Sequence, residues 1–129
     1  MGTFLISKRI SGDYKFSFAA RKGKIVFTSI SYKEKLDCEV FISVLKQDIT
    51  RFSFTKVRNA AGKYFFRITK DGFVLANSRK YTTELLLSKG MEHVYKHISL
   101  SDILDFSDDA FVFPEDDLSP QTEIGETMG

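Results

Sequence analysis

The chain has 129 residues, 43% of them hydrophobic and 13 of them phenylalanine, which is enough for one domain with its own apolar core. Its single cysteine, Cys38, excludes an intramolecular disulfide and is typical of a reducing compartment. No apolar run approaches the ~20 residues of a membrane span, and residues 1–12 lack a signal-peptide pattern. We therefore expect a cytoplasmic protein without a membrane segment.

The net charge of +2 is unevenly distributed along the chain. Residues 1–100 carry all 19 Lys and Arg residues and eight acids, a net charge of +11. Residues 101–129 carry nine acids and no base, a net charge of −9. The sequence therefore predicts a basic body with an acidic tail.

The first part of the chain predicts three strands and a helix. A strand at residues 3–9 precedes the alternating apolar residues Tyr14, Phe16 and Phe18, and a turn at Gly23 leads to a return strand at residues 25–29. After Tyr32 the apolar period changes from two residues to three and four. The resulting helical stripe consists of Cys38, Ile42, Leu45 and Ile49.

The second part of the chain repeats this pattern. A strand at residues 52–57, the alternating residues Tyr64, Phe66 and Ile68, an Asp71-Gly72 hairpin turn and a strand at residues 73–78 precede a second stripe. That stripe consists of Leu87, Met91, Val94 and Ile98. A shift of 50 residues, which becomes 49 after the turn, aligns Gly12 with Gly62 and Tyr32 with Tyr81. Matches spread over a whole unit indicate duplicated structure.

These signals predict an α+β domain at residues 1–106, built from one unit at residues 1–50 and a second at 51–106. We expect the two units to form one antiparallel sheet with both helices on one face, because about 50 residues alone bury too little apolar surface. Residues 103–106 and Phe111–Phe113 are each suited to a short edge strand, and Phe111–Phe113 is alternatively suited to docking on another protein. Residues 107–129 are predicted to form an acidic, disordered tail.

The two units resemble the YegP-like family of small bacterial proteins, whose units read roughly Gly-Lys-x-Tyr-Phe, Asn-Gly and Thr-Ser-x-x-Tyr before a helix. The second unit matches with Gly62–Phe65, Asp71-Gly72 and Asn77–Tyr81, and the first with Gly12–Phe16, Lys22–Lys24 and Thr28–Tyr32. The resemblance covers about residues 1–106. It implies two β3-α-β units that exchange their last strands, and it implies no activity.

The chain departs from the family pattern in two places. Phe41 stands where the family's helix carries a glycine, which is kept as Gly90 in the second unit. The acidic extension after about Ser107 also lies outside the family's pattern.

The strand residues that alternate with the apolar ones predict a basic face on the side of the sheet away from the helices. An outward aromatic among cations on an open sheet suits bases and phosphates, although lysines on a sheet also simply prevent aggregation. The residues that we assign to a polyanion-binding face are Lys15, Phe65, Arg67, Lys63, Lys70, Lys22 and Lys24.

Other candidate sites favour a structural interpretation. Ser29, Tyr32, Ser78 and Tyr81 recur at the strand-to-helix corners, where they suit either chain turning or two small-ligand pockets. His93 and His97 lie one helical turn apart, but two ligands do not make a metal site. Cys38 lies on the apolar stripe, where a buried thiol is expected rather than a nucleophile.

We therefore expect no metal, no cofactor and no enzymatic activity, since no phosphate-binding loop, nucleophile elbow or other catalytic motif occurs. The first hypothesis is a non-enzymatic binding or interaction module whose basic body is moderated by the acidic tail. Its sharper form is a single-stranded nucleic-acid binder, with an acidic protein as the other partner class. A small-molecule-binding protein or enzyme that uses the corners is the alternative. The pairing of two units within one chain predicts a monomer.

Overall fold

A computed structural model describes residues 2–20 and 23–107. The first unit contains strands β1 (Gly2–Lys8), β2 (Tyr14–Ala20) and β3 (Ile25–Ser29) and helix α1 (Lys35–Gln47). The second contains strands β4 (Ser53–Arg58), β5 (Tyr64–Lys70) and β6 (Phe73–Ser78) and helix α2 (Glu84–His97), followed by strand β7 (Asp102–Asp105). A short 3-10 turn follows each helix, at Ile49–Arg51 and Ile98–Leu100. The predicted α+β class is confirmed.

The seven strands form one sheet in the order β4-β5-β6-β3-β2-β1-β7. Neighbouring strands are antiparallel except at one edge, where β7 runs parallel to β1 from the pair Thr3–Asp102 to the pair Ile6–Asp105. The predicted antiparallel sheet is thus confirmed for the other strand pairs, and the parallel pair at this edge is an addition to it. The 3-10 turn after α2 directs the chain along β1, so the last strand of the second unit lies against the first unit.

Both helices pack on one face of the sheet, as predicted. The alternate residues Phe4, Phe16, Phe18 and Phe66 of β1, β2 and β5 are buried in one cluster with the apolar stripes of the helices. In α1 the buried stripe is Cys38, Ile42 and Leu45, and in α2 it contains Leu87 and Val94. The intervening strand residues point to the opposite, helix-free face because side chains alternate across a strand.

The hairpin between β5 and β6 has the turn that its sequence predicts. Asp71 and Gly72 both have positive φ, at 53° and 83°. Two successive residues in this conformation make a turn whose twist suits the flanking strands, and aspartate followed by glycine adopts it readily. Among residues 2–20 and 23–107, no helix is long and apolar enough to cross a membrane.

Candidate functional site

A row of residues, polar in its first five strands, crosses the centre of the helix-free face. The strand register aligns one residue from each strand in the order Thr55, Arg67, Asn77, Thr28, Ser17, Leu5, Leu104. Within the row, Arg67 Nε donates to Asn77 Oδ1 at 3.1 Å, and the hydroxyls of Ser17 and Thr28 are 3.2 Å apart. These contacts connect neighbouring strands on the side of the sheet that no described helix covers.

The row also shows how the two units are related in space. Its middle lies between Thr28 and Asn77, which occupy equivalent positions in the two units, so equivalent residues lie on opposite sides of this point. Lys15 and Phe65 are such a pair. Both residues share the helix-free face, but their strands are three spacings apart in the sheet. They also lie on opposite sides of the row, so the distance between the two residues is about 20 Å. The predicted face therefore consists of two distant halves rather than one patch.

The half that belongs to the second unit centres on Phe65. The ring of this half-buried residue has the Arg67 guanidinium 5.5 Å and the Lys80 ammonium 5.6 Å from its centroid. Arg79 lies 5.4 Å from the Tyr81 ring centroid. Cations attracted to ring faces leave part of their charge open to solvent anions. We call Phe65, Arg67 and Lys80 the Phe65 cluster.

The positive charge of the body is concentrated in the sheet segments. Residues 51–81, which form β4 to β6 and their connections, contain eight basic residues and one acid, a net charge of +7. The corresponding residues 1–32 have a net charge of +5, whereas the helical segments 33–50 and 82–100 have net charges of −1 and zero. The sheet segments, most strongly those of the second unit, therefore carry the excess positive charge that attracts anions.

The remaining residues of the predicted face are spread along its margins. Lys63 is exposed in the loop before β5, and Lys70 pairs with Asp71 at 3.3 Å at the other end of that strand. Lys24 is exposed before β3, and Lys22 lies outside the described residues. The sequence prediction omitted two cations that lie beyond the end of β6, Lys80 over the Phe65 ring and Arg79 over the Tyr81 ring. The net charge of residues 51–81, which includes both, is the sequence signal that could have identified them.

The two serines of the strand-to-helix corners use their hydroxyl groups to hold the main chain. Ser29 Oγ accepts the Phe16 N–H at 2.9 Å and donates to the Ile30 carbonyl at 2.8 Å. Ser78 Oγ accepts the Phe66 N–H at 2.8 Å and donates to the Arg79 carbonyl at 2.7 Å. A serine hydroxyl has one proton, so neither serine retains a donor for a ligand.

The two corner tyrosines pack differently in the two units. Tyr81 lies over Gly90, where an added Cβ would be 2.8 Å from Tyr81 Cζ. In the first unit, Phe41 occupies the equivalent position, and its ring lies beside Tyr32 at a centroid distance of 5.4 Å. Burial raises the pKa of both tyrosines, and nearby Cys38 and Asp37 add to the effect at Tyr32. The missing glycine is therefore accommodated by a ring contact.

The two histidines lie beside each other on α2, and the cysteine lies in the apolar core. His93 and His97 have ring centroids 4.5 Å apart, and the described chain holds no group of three or more His, Cys, Asp or Glu residues suited to a metal ion. Cys38 is fully buried. Burial, together with nearby Asp37, Glu39 and Asp105, raises its pKa to about 12, so the thiol stays protonated at neutral pH.

Comparisons with known proteins identify the fold. A comparison with protein-family models gave no match, and a sequence comparison with curated proteins gave none either. Two solution NMR structures share the architecture. A UPF0339 protein from Shewanella oneidensis is 19% identical, with a TM-score of 0.73 over 84% of this chain and 94% of that one. YegP from E. coli is 21% identical, with a TM-score of 0.72 over 84% of this chain and 95% of that one.

The chain has the YegP-like fold. The resemblance drawn from the repeated motifs is thus confirmed at the level of the fold. E. coli YegP is described as a protein of unknown function, so the YegP-like fold brings no activity with it.

Proposed function

We propose that this protein is a non-enzymatic binding module that holds a polyanion against the sheet side of its second unit. The observation that carries the proposal is the segregation of charge, with +7 on residues 51–81 against −1 and zero on the two helical segments. A surface with one sign of charge raises the local concentration of an oppositely charged partner and speeds its association.

Single-stranded nucleic acid is the polyanion that suits this surface best. An extended nucleic-acid strand can lie flat across the helix-free face. The Phe65 cluster places an aromatic ring among cations on that face. Sheets of this kind bind single strands by stacking bases on aromatic rings and pairing phosphates with Arg and Lys. A base reaches the Phe65 ring by displacing Arg67 or Lys80, and the displaced cation is then available to a phosphate.

The acidic segment is proposed to compete for the same surface. The described chain ends at Ser107 beside the β1 edge, where Phe106 N–H donates to the Ile6 carbonyl at 2.9 Å. Residues 108–129 contain seven acids and no base. Fully extended, 22 residues span about 73 Å, more than twice the sheet width of about 29 Å. The segment is therefore long enough to reach the Phe65 cluster of its own chain and weaken the binding of any other anion.

Fluorescence anisotropy with a labelled oligothymidylate of about 20 nucleotides tests the proposal. We expect Phe65→Ala to weaken binding about 5-fold to 100-fold, the effect of losing one stacked base. Phe73→Ala is the matched control, because Phe73 is 73% exposed at the far end of the hairpin and should not affect binding. Lys80→Ala should reduce the salt dependence of the affinity more than Lys89→Ala, which removes the same charge from the exposed surface of α2.

A full-length variant whose seven acids after Ser107 are replaced by their amides tests the competition. We expect it to bind the oligonucleotide more tightly than the natural chain, with the largest difference at low salt. Absence of binding by this variant at low salt would refute the nucleic-acid proposal. Equal affinity for polyglutamate would show that an acidic protein is an equally good partner and would also overturn it.

A further inference from the structure

Among the described residues, the outer edge of β4 carries no neighbouring strand, whereas the equivalent edge of β1 is covered. β1 and β4 are the first strands of the two units, and each pairs on one side with the next strand of its unit. On its other side β1 carries β7, through four register pairs. Within the described ranges, β4 ends the sheet and no strand pairs with its outer side.

The main chain of β4 presents hydrogen-bonding groups along this edge. Phe66 N–H is bonded to Ser78 on the β6 side, so Phe66 and the opposite residue Lys56 do not exchange main-chain hydrogen bonds. The N–H and C=O of Lys56 therefore point outward, away from β5. Ile6 is the counterpart of Lys56 in β1, and its carbonyl accepts the Phe106 N–H just beyond β7. The two edges thus present their main chains in the same way.

Side-chain burial also differs between the two edges. Phe4 and Ile6 of β1 are 0% and 1% exposed. Their counterparts in β4 are Phe54, which is half-buried, and Lys56, which is exposed and lies 3.5 Å from Glu84 of α2. An added strand would further cover Phe54. Lys56 and Arg58 would repel the same edge of another copy, so they disfavour β4-to-β4 pairing and favour an acidic strand.

The chain itself contains a segment of the required kind. Phe111-Val112-Phe113 consists of residues with high β propensity, and acids flank it on both sides at residues 108–109 and 115–117. β7, the strand that covers the β1 edge, likewise has an acid at each end, Asp102 and Asp105. An apolar strand between acids thus complements an edge that carries Lys56 and Arg58.

This segment cannot reach the β4 edge of its own chain. Ser107 lies at the β7 end of the sheet, and β4 lies six strand spacings away, about 29 Å. Residue 113 is six positions beyond Ser107, and six extended residues span about 22 Å at most. The segment that fits the open edge must therefore come from another molecule.

We propose that the β4 edge accepts Phe111–Phe113 of a second copy of this chain as an added strand. The outward N–H and C=O groups of Phe54 and Lys56 bind the main chain of the incoming segment, and its flanking acids face Lys56 and Arg58. The resulting self-association does not rest on nucleic-acid binding. It contradicts the expectation of a monomer, which considered only the pairing of the two units.

A direct test titrates the full chain into a labelled synthetic peptide with the sequence of residues 108–117. Lys56→Pro and Lys56→Ala are a matched pair of variants. Both lose the ammonium group and its contact with Glu84, but only proline removes the outward N–H and obstructs strand addition. We expect Lys56→Pro to bind the peptide about tenfold more weakly than Lys56→Ala, and a scrambled peptide to bind similarly weakly. Equal binding in either comparison overturns the proposal.

Sedimentation velocity on full-length variants tests the same contact through changes in the incoming segment. It does not depend on the folding of a β4 variant. The natural chain and Val112→Ala should associate increasingly as concentration rises. Val112→Pro should remain monomeric, because proline removes an N–H and disfavours the strand. A natural chain that stays monomeric throughout, or a proline variant that associates like the alanine variant, refutes strand addition.

Discussion

Replacing Ser78 with alanine should destabilise the fold because one buried main-chain donor, the N–H of Phe66, loses its acceptor. The Ser78 hydroxyl accepts the N–H of Phe66, a residue that is 0% exposed, and donates to the carbonyl of exposed Arg79. Without the hydroxyl, the Phe66 N–H loses its partner where water does not reach it. An unsatisfied buried donor costs about 1–3 kcal/mol, and the lost bond to the Arg79 carbonyl adds about 0.5 kcal/mol. We expect Ser78→Ala to lower the free energy of unfolding by about 2 kcal/mol.

Urea denaturation followed by circular dichroism measures this loss. A chain of this size should have an m value of about 1.5 kcal/mol/M, so the midpoint should fall by about 1.3 M with m unchanged. Ser29→Ala removes the equivalent pair of bonds in the first unit and should cost about the same. Ser17→Ala is the control, because its hydroxyl contacts Thr28 on the helix-free face, and it should cost less than about 0.5 kcal/mol.

A loss below about 0.5 kcal/mol in both Ser78→Ala and Ser29→Ala would refute this reasoning, since neither hydroxyl would then be satisfying a buried donor. The corner serines would in that case need another explanation, and the small-ligand interpretation would return.

Three further predictions concern other parts of the fold. Gly90→Ala should lower the free energy of unfolding by about 1 kcal/mol in thermal unfolding, because overpacking against Tyr81 outweighs the gain in helix propensity; Lys89→Ala should not. Burial raises the pKa of Asp105, but hydrogen bonds from Ser107 and Lys35 outweigh this and lower it below 3.8. Asp105→Asn should therefore cost about 1 kcal/mol at pH 7, and urea denaturation should show that difference closing as the pH falls through the folded-state pKa; a constant difference would contradict it. Cys38 should resist alkylation at pH 8 until urea unfolds the chain, and rapid native-state labelling would show that the thiol is accessible.

The features predicted from the sequence are those with a local signal. Alternation at Tyr64, Phe66 and Ile68 placed β5, the spacing of Leu87, Met91 and Val94 placed α2, and Asp71-Gly72 placed the hairpin. In each case the residues that carry the pattern lie within a few positions of one another, so propensity and periodicity were sufficient.

The features that the sequence did not predict depend on residues distant along the chain. The parallel pairing of β7 with β1 joins residues almost a hundred positions apart. The distance between Lys15 and Phe65 depends on the sheet being continued through β3 and β6, which places equivalent residues on opposite sides of its centre. The role of Lys80 depends on where the chain runs after β6. Such arrangements follow from the packing of the whole domain, so alternation in one strand cannot reveal them.

The position of β7 also affects the order in which the protein becomes complete during synthesis. Thr3 of β1 pairs with Asp102, 99 positions later. At about 5–20 residues per second, β1 leaves the ribosome roughly 5–20 s before its outer partner exists. During that interval the outer edge of β1 is unpaired in the nascent chain, as is the outer edge of β4. The β1 edge is covered only when β7, the last strand of the domain, has been synthesised. The native sheet is therefore completed late in synthesis. A pause in translation before residue 102 would prolong the time during which the unpaired β1 edge can aggregate with other chains.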